Sequence, residues 1–148
     1  MLKRAGITIK KEEQKYIINP IHSLKSGGGA ASQPFIHEYN LSSEELLEIV
    51  LQTLELSKEN VERSNDLKAL QKEYLSSMGV KTMKALHDGT IYLSVNMKDD
   101  TIMFTPWENK GAKDGFRGFK EDLTIKLPFN SPKEELVKAL ELALSRCK

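Results

Sequence analysis

The sequence has few cysteines, no long apolar run and almost no net charge, and each of these shortages excludes a class of protein. Cys147 is the only cysteine among 148 residues, so no internal disulfide can form and no oxidising compartment is indicated. The most apolar stretch, Leu46 to Leu56, is interrupted by charged and amide side chains, and Met1 does not lead into a signal-peptide core. We therefore expect a cytoplasmic protein that contacts no membrane.

The overall charge balance argues against a general nucleic-acid binder. The net charge is +1, and the lysines and arginines are scattered without interleaved aromatic residues. Charge is uneven locally, however. Residues 1–25 carry a balance of +4, whereas residues 42–62 carry −5. We expect no direct contact with nucleic acid, and the acidic segment is either the solvated side of a helix or a surface that attracts a cationic partner.

The sequence also lacks the residue patterns that carry catalysis or bind metals. His22, His37 and His87 lie far apart, and none has the spacing that places two ligands on one helix face. The run Ser26-Gly27-Gly28-Gly29 lacks the lysine of a phosphate-binding loop, and no nucleophile elbow is present. We expect no metal, no cofactor and no enzymatic activity.

The N-terminal part predicts a strand hairpin followed by a loop. Ile7-Thr8-Ile9 and Tyr16-Ile17-Ile18 have the β-branched and aromatic content of two paired strands. Asn19-Pro20 is expected to end the second strand. His22 to Asn40, with three successive glycines and a proline, is expected to form an exposed, mobile loop.

A helix start follows at Ser42, which forms a capping-box pattern with Glu45. Apolar residues then recur at helical spacing through Leu54, and the pattern resumes from Leu67 until Gly79. This arrangement indicates two helices or one broken helix.

Beyond Gly79 the apolar period changes from that of a helix to that of a strand. Ile91 to Met97 and Ile102 to Phe104 alternate as a hairpin around Asp99 and Asp100, and Pro106 is expected to end its second strand. The glycine-containing stretch from Glu108 to Lys120 is expected to be a long loop.

A third strand, Leu123 to Leu127, precedes a closing helix. Ser131 is expected to be its N-cap, with Pro132 at the first helical position and Glu134 completing a capping box. The predicted fold class is α+β: an antiparallel sheet, with a central hairpin and further strands, packed against several helices including a C-terminal helix. We expect a single domain over residues 1–148.

Three segments between Gly79 and Lys148 are similar to patterns of one family. They are Gly79-Val80-Lys81-Thr82-Met83-Lys84-Ala85-Leu86, Thr101-Ile102-Met103-Phe104-Thr105-Pro106, and Leu127-Pro128-Phe129-Asn130-Ser131-Pro132-Lys133-Glu134-Glu135-Leu136 with the ending Ala143-Leu144-Ser145-Arg146-Cys147. In this order they resemble the CdiI immunity proteins of contact-dependent growth inhibition (CDI) systems. Trp107-Glu108-Asn109 departs from the family pattern, where histidines are common.

The resemblance implies an inhibitor that binds the C-terminal toxin domain of a CdiA-type exoprotein, often a nuclease acting on transfer RNA. A nuclease is cationic where phosphate binds, so acidic residues are the expected contacts. The candidate toxin-binding residues are Glu44, Glu48, Glu55, Glu59, Asp88, Asp99, Asp100, Trp107 and Glu108. Turn chemistry also accounts for the two hairpin aspartates, and Trp107 is either a lid on the core or an interface residue.

Two other functions are compatible with the same residues. A non-catalytic regulatory or adaptor module would bind another cytosolic protein through the acidic helix. A small enzyme would instead bring ionisable groups with perturbed pKa values together in a pocket.

Overall fold

The computed structural model describes residues 1–148 as an antiparallel sheet with helices on both of its faces. The strands are β1 (Lys3–Lys10), β2 (Lys15–Ser23), β3 (Gly29–Ala31), β4 (Ile36–Tyr39), β5 (Thr90–Lys98), β6 (Thr101–Pro106), β7 (Glu108–Asn109), β8 (Phe116–Arg117) and β9 (Ile125–Pro128). The helices are α1 (Ser43–Leu54), α2 (Leu67–Ser77), α3 (Met83–His87), α4 (Gly111–Asp114) and α5 (Lys133–Arg146). The α+β class predicted from the sequence is confirmed.

The main sheet has the strand order β3-β2-β1-β5-β6-β9, and β4 also pairs with β2. β3 and β4 therefore share the outer side of β2, at different stretches of it. β7 and β8 form a separate two-stranded ribbon. Both predicted hairpins, β1–β2 and β5–β6, are present, and β1 joins them by pairing with β5 along its whole length.

One face of the sheet, the apolar face, carries the main core because alternate residues of every strand point to it. Ile7 on β1 is paired with Ile18 and with Leu93, so three buried side chains lie side by side across the sheet. α1 and α5 cover this face, with Leu47 and Leu140 fully buried. The apolar spacing of these helices was the signal for this packing.

The opposite face, the polar face, has a smaller apolar cluster at one end. Ile17 on β2 packs there with Leu75 and Met78 from α2 and its C-terminus and with Leu86 from α3. α2 buries little else, and Leu67 at its start is 64% exposed. α2 therefore contacts the sheet mainly through its C-terminal turn. The segment from Ser42 to Gly79 contains two separate helices, α1 and α2, and not one broken helix.

Pro20 does not end β2, contrary to the prediction, because the strand continues to Ser23 with Pro20 paired to Ala5. The Pro20 carbonyl accepts a hydrogen bond from the Ser32 N–H on the outer side of β2, so the position that lacks an N–H also faces outward. The ladder to β1 consequently loses no hydrogen bond.

The stretch from His22 to Asn40 is not a plain loop, since it contains β3 and β4. Both strands are short, and they form because the outer edge of β2 offers unpaired backbone groups. The loop predicted over 108–120 likewise contains β7, α4 and β8. These elements are defined by long-range pairing, which no local periodicity reveals.

The capping prediction is confirmed for α1 and wrong for α5. Ser42 Oγ accepts from the Glu45 N–H at 3.1 Å, and Glu45 Oε1 accepts from the Ser42 N–H at 3.0 Å. At α5, Pro132 is the N-cap and no side chain caps the helix. The Ser131 hydroxyl instead donates to the Pro128 carbonyl at 2.6 Å.

No helix combines the length and the apolar character that a membrane span needs.

Candidate functional site

The acidic side chains predicted on and after α1 are exposed, but several are engaged by cationic or amide groups of the same chain. Glu48 Oε1 lies 2.7 Å from the Lys133 Nζ of α5. Glu55 lies 2.8 Å from the Lys3 Nζ of β1, and Glu59 accepts from the Leu2 N–H at 2.7 Å. Glu44 has no such partner, although it lies near enough to Lys133 to raise its pKa. The acidic helix is therefore partly neutralised from within.

The other predicted residues lie at two ends of the sheet. Asp99 and Asp100 form the tip of the β5–β6 hairpin, both with positive φ, as a tight two-residue turn requires. Asp88 is the C-cap of α3, and Glu108 lies in β7, with its carboxylate 3.1 Å from Lys110 Nζ. The predicted set does not form one continuous surface.

Four of these residues do lie at a common end of the sheet. Glu55 and Glu59 bind the first residues of β1, and Lys3 is paired with Met97 just before the hairpin tip. Asp99 and Asp100 therefore belong to the same end as Glu55 and Glu59. Arg4, the next residue of β1, brings an unpaired positive charge to this acidic end.

The polar face of the sheet carries hydrophilic side chains at its centre where the other face is apolar. Arg4 on β1 lies directly opposite Asn96 on β5, and both side chains are partly buried. The Arg4 Nε and the Asn96 Oδ1 are shielded from solvent, yet neither has a hydrogen-bond partner within the chain. Such groups are normally paired when they are buried.

Tyr92 lies beside this pair. Its backbone partner on β1 is Thr8, but its hydroxyl lies over Gly6, the next position of β1 on the same face as Arg4. A Cβ on Gly6 would lie 2.7 Å from that hydroxyl oxygen, so the ring can cross the strand only because residue 6 is glycine. Burial raises the pKa of the Tyr92 phenol, as does the nearby Tyr74, while Arg4 opposes them. The phenol therefore stays protonated and keeps a hydrogen to donate.

Aromatic rings lie on one side of the group formed by Arg4, Tyr92 and Asn96. The Tyr92 ring centroid lies 6.1 Å from that of Trp107 and 5.2 Å from that of Phe116. The Trp107 Nε1–H donates to the Ser94 hydroxyl at 2.9 Å. Trp107 is thus a partly exposed ring on the polar face, anchored to the sheet, and it does not lie over the main core.

Gly29 of β3 closes the other side. A Cβ there would lie 2.5 Å from Arg4 Nη1, so the guanidinium packs against bare backbone. Gly29 also lines an open groove of about 670 Å³ between β3, the segment before β4, and α2, to which Phe35 and Tyr74 contribute. We call Arg4, Gly29, Tyr92 and Asn96 the Arg4 cluster; it lies where the groove and the polar face meet.

Sequence reasoning did not single out the Arg4 cluster. Arg4 appears in the sequence only as one of several basic residues near the start, and Tyr92 and Asn96 appear as the outward residues of a hairpin. The alternation of β5 was a usable signal, because it placed Tyr92, Ser94 and Asn96 together on one face. Which strand lies beside them could not be read from local pattern.

No group of three or more histidine, cysteine, aspartate or glutamate side chains comes close enough to hold a metal ion. The one thiol, Cys147, is buried, and burial raises its pKa; its S–H lies 3.3 Å from the Tyr92 carbonyl oxygen, to which it donates. A buried, protonated thiol is a poor nucleophile. The structure presents shielded polar atoms without partners on the polar face, at Arg4 and Asn96.

Comparisons with known proteins give one family and two similar structures. The model of the family described as CdiI, CDI immunity protein, matches residues 5–147. No curated protein matches the sequence. The fold is similar to that of a protein of unknown function from Neisseria meningitidis, with a TM-score of 0.80 and 21% identity over 100% of this chain and 96% of the other. It is also similar to a chain of the CdiA-CT/CdiI toxin and immunity complex from Yersinia pseudotuberculosis, with a TM-score of 0.77 and 18% identity over 100% and 98%.

Proposed function

Because this chain belongs to the CdiI family of CDI immunity proteins, we propose that it binds and neutralises the C-terminal toxin domain of a CdiA-type exoprotein. The observation that carries the proposal is the family match over residues 5–147, which takes in all the helices and every strand of the main sheet except the first two residues of β1. The similarity to a chain of a toxin and immunity complex supports it at the level of the fold. The whole chain would act as a single immunity domain in the cytoplasm.

Inhibition of this kind needs a surface and no chemical step. A stable complex of two proteins buries about 1,200–2,000 Å² in total, and its central contacts are enriched in tyrosine, tryptophan and arginine. Partly exposed Tyr92, Trp107 and Arg4 lie together on the polar face. We therefore propose that the chain is not an enzyme and acts by occupying its partner.

The finer proposal is that the toxin is a nuclease acting on transfer RNA. A nuclease presents cationic side chains where it binds phosphate, and exposed carboxylates would complement them. Glu44, Glu55, Glu59 and the hairpin aspartates are exposed and face solvent. Opposite charges on the two surfaces would accelerate association and disfavour wrong partners.

The test is to co-express the chain with the toxin domain encoded beside its gene. We expect restored growth, co-purification of the two proteins, and loss of RNA cleavage when the chain is added to purified toxin. Growth arrest despite co-expression, with no complex in solution, would overturn the proposal. Co-purification without protection would favour the adaptor function, and cleavage of DNA in place of RNA would correct the toxin class alone.

A further inference from the structure

Arg4 differs from the lysines that form salt bridges within the chain, because it has no acidic partner. The four salt bridges within the chain all use lysines, among them Lys3, the neighbour of Arg4 on β1. Adjacent residues of a strand point to opposite faces, so Lys3 reaches Glu55 while Arg4 points to the polar face. There it finds no carboxylate, and its shielded Nε–H has no acceptor.

An unpaired, half-buried guanidinium is costly to retain. It carries five N–H donors in a planar fork, and removing such a group from water without a partner is unfavourable. The group that fits this fork best is a carboxylate, which takes two parallel hydrogen bonds. The chain itself supplies Asn96 opposite and Gly29 above, but no acidic group in contact.

The surroundings of Arg4 favour an incoming acceptor. The Tyr92 hydroxyl, held over Gly6, is protonated and makes no hydrogen bond within the chain. Directly across the ladder, the Asn96 Oδ1 is an acceptor without a partner, so only the amide group of Asn96 could donate to an incoming acceptor. The floor is β-sheet, and on the Gly29 side the guanidinium is covered by backbone alone, because Gly29 has no side chain. The Arg4 guanidinium and the Tyr92 hydroxyl are thus two donors without a partner from the chain.

We propose that the Arg4 cluster is the seat of an acidic side chain of the toxin domain, whose carboxylate pairs with the Arg4 guanidinium and accepts from the Tyr92 hydroxyl. This site rests on the proposed function and adds to it a second pairing of opposite charges, in which the toxin supplies the anion. The toxin surface would offer cations to the exposed glutamates and one buried anion to Arg4.

The charges around the cluster favour a protein over a nucleic acid. Glu59, Asp99 and Asp100 lie at the same end of the sheet as Arg4, and they would repel a polyanion that carries phosphates at every step. A folded protein can place a single carboxylate among lysines and arginines. Such a surface matches one arginine at an acidic end of the sheet.

The test compares binding and stability of Arg4 variants of the full chain. The probe is the C-terminal domain of the CdiA-type protein encoded next to this gene, titrated by calorimetry. We expect Arg4→Met to weaken binding at least 10-fold and Arg4→Lys to weaken it as well, since an ammonium cannot form the fork. The melting temperature of Arg4→Met should stay unchanged or rise, because an unpaired charge is replaced by an apolar chain of similar length.

The matched control is Lys138→Gln, which removes one positive charge from the exposed side of α5, beyond the apolar face. Its affinity should remain within 2-fold of the wild type. Titrations of the free chain with acetate and with inorganic phosphate separate the protein carboxylate from a free anion, followed through the Arg4 Nε–H resonance. We expect no saturation by either at millimolar concentration.

The outcomes separate the site from the function. Wild-type binding that persists unchanged in Arg4→Met overturns this site and leaves the proposed function standing. Failure of the wild type to bind the toxin domain overturns the function and the site together. Tight binding of phosphate to the free chain would assign the Arg4 cluster to a small anion and overturn the carboxylate seat. A toxin aspartate or glutamate whose alanine variant is non-additive with Arg4→Met would identify the partner group.

Discussion

Lys133 at the start of α5 binds the carboxylate of Glu48 on α1, with 2.7 Å between Nζ and Oε1. The hydrogen bond to Glu48 is the main cause of a raised pKa at Lys133. The pair connects the two helices that cover the apolar face. It also removes one carboxylate from the acidic surface that the sequence appeared to offer to a partner.

Neutralising Glu44 should therefore affect toxin association more than neutralising Glu48. Glu44→Gln removes an exposed negative charge that no lysine contacts. Glu48→Gln removes a carboxylate that is paired with Lys133, so the negative charge presented to a partner there is already partly neutralised. We expect the association rate at low salt to fall several-fold for Glu44→Gln, and the difference from wild type to vanish as salt rises. Stopped-flow mixing with the toxin domain at two ionic strengths measures both. Equal rates for the two variants would contradict the prediction.

The hairpin tip should tolerate glycine better than any other residue. Asp100 has a φ of +64°, a conformation that glycine adopts without steric cost. We expect Asp100→Gly to raise the free energy of unfolding by up to about 1 kcal/mol. Asp100→Ala, which removes the same carboxylate but keeps a Cβ in the left-handed region, is the control and should not be stabilising. Urea denaturation of the two variants decides, and a destabilised glycine variant would refute the argument.

The capping box of α1 gives a prediction about pH. The Ser42 backbone N–H, and then its hydroxyl, lower the pKa of Glu45, so the folded chain binds a proton there less tightly than the unfolded chain. This contribution is present above the ordinary glutamate pKa and is lost as pH falls through the lowered value. We expect Glu45→Gln to lose less stability than wild type as pH drops from about 5 to about 3. Thermal melts across that range measure it.

Ser42→Ala tests the other half of the same box. Loss of the Ser42 side chain leaves the Glu45 N–H without its acceptor, which costs about 1 kcal/mol at a helix N-cap. Ser131→Ala at α5 is the matched control, because that hydroxyl donates to Pro128 and caps no helix N–H. An equal loss in the two variants, read from chemical denaturation, would show that the α1 cap carries no special weight.

The sequence predicted those elements whose signals are local. The capping residues of α1, the alternation of β5 and β6, and the apolar spacing of α5 each act within a few neighbouring residues. The hairpin tip followed from the same kind of pattern. These signals were enough to predict the α+β class and the packing of α5 on the sheet.

The rest depends on which strands become neighbours. β4 exists because Ile36 and His37 meet the free edge of β2, and nothing in those residues alone indicates pairing. The Arg4 cluster has the same origin, since Arg4 meets Asn96 only when the two hairpins join edge to edge. The acidic candidates were visible in composition, but the lysines that engage Glu48 and Glu55 come from distant segments. Sites of this kind become visible only once the register is known.

Gly6→Ala should disturb both stability and the Arg4 cluster. The new Cβ would lie 2.7 Å from the Tyr92 hydroxyl oxygen and 3.1 Å from its Cε1, so the ring must move. Trp107 and Phe116 pack beside that ring and oppose the movement. We expect a loss of about 1–3 kcal/mol in the free energy of unfolding, as for other overpacked positions. Adding Tyr92→Phe removes the closest atom and should restore part of that loss, with a non-additive coupling that chemical denaturation of the single and double variants measures.

Gly118→Ala is the control for this cycle, because a Cβ there meets no atom within 4 Å and its backbone is not in the left-handed region. It should be neutral or slightly stabilising, since alanine reduces the conformational entropy of the unfolded chain.

Tyr92→Phe alone should cost little in stability, because the hydroxyl makes no hydrogen bond within the chain, but it should weaken toxin binding if that hydroxyl donates to the incoming carboxylate. Additive effects of Gly6→Ala and Tyr92→Phe would mean that the ring does not depend on the glycine, and the arrangement of the Arg4 cluster would then need another cause.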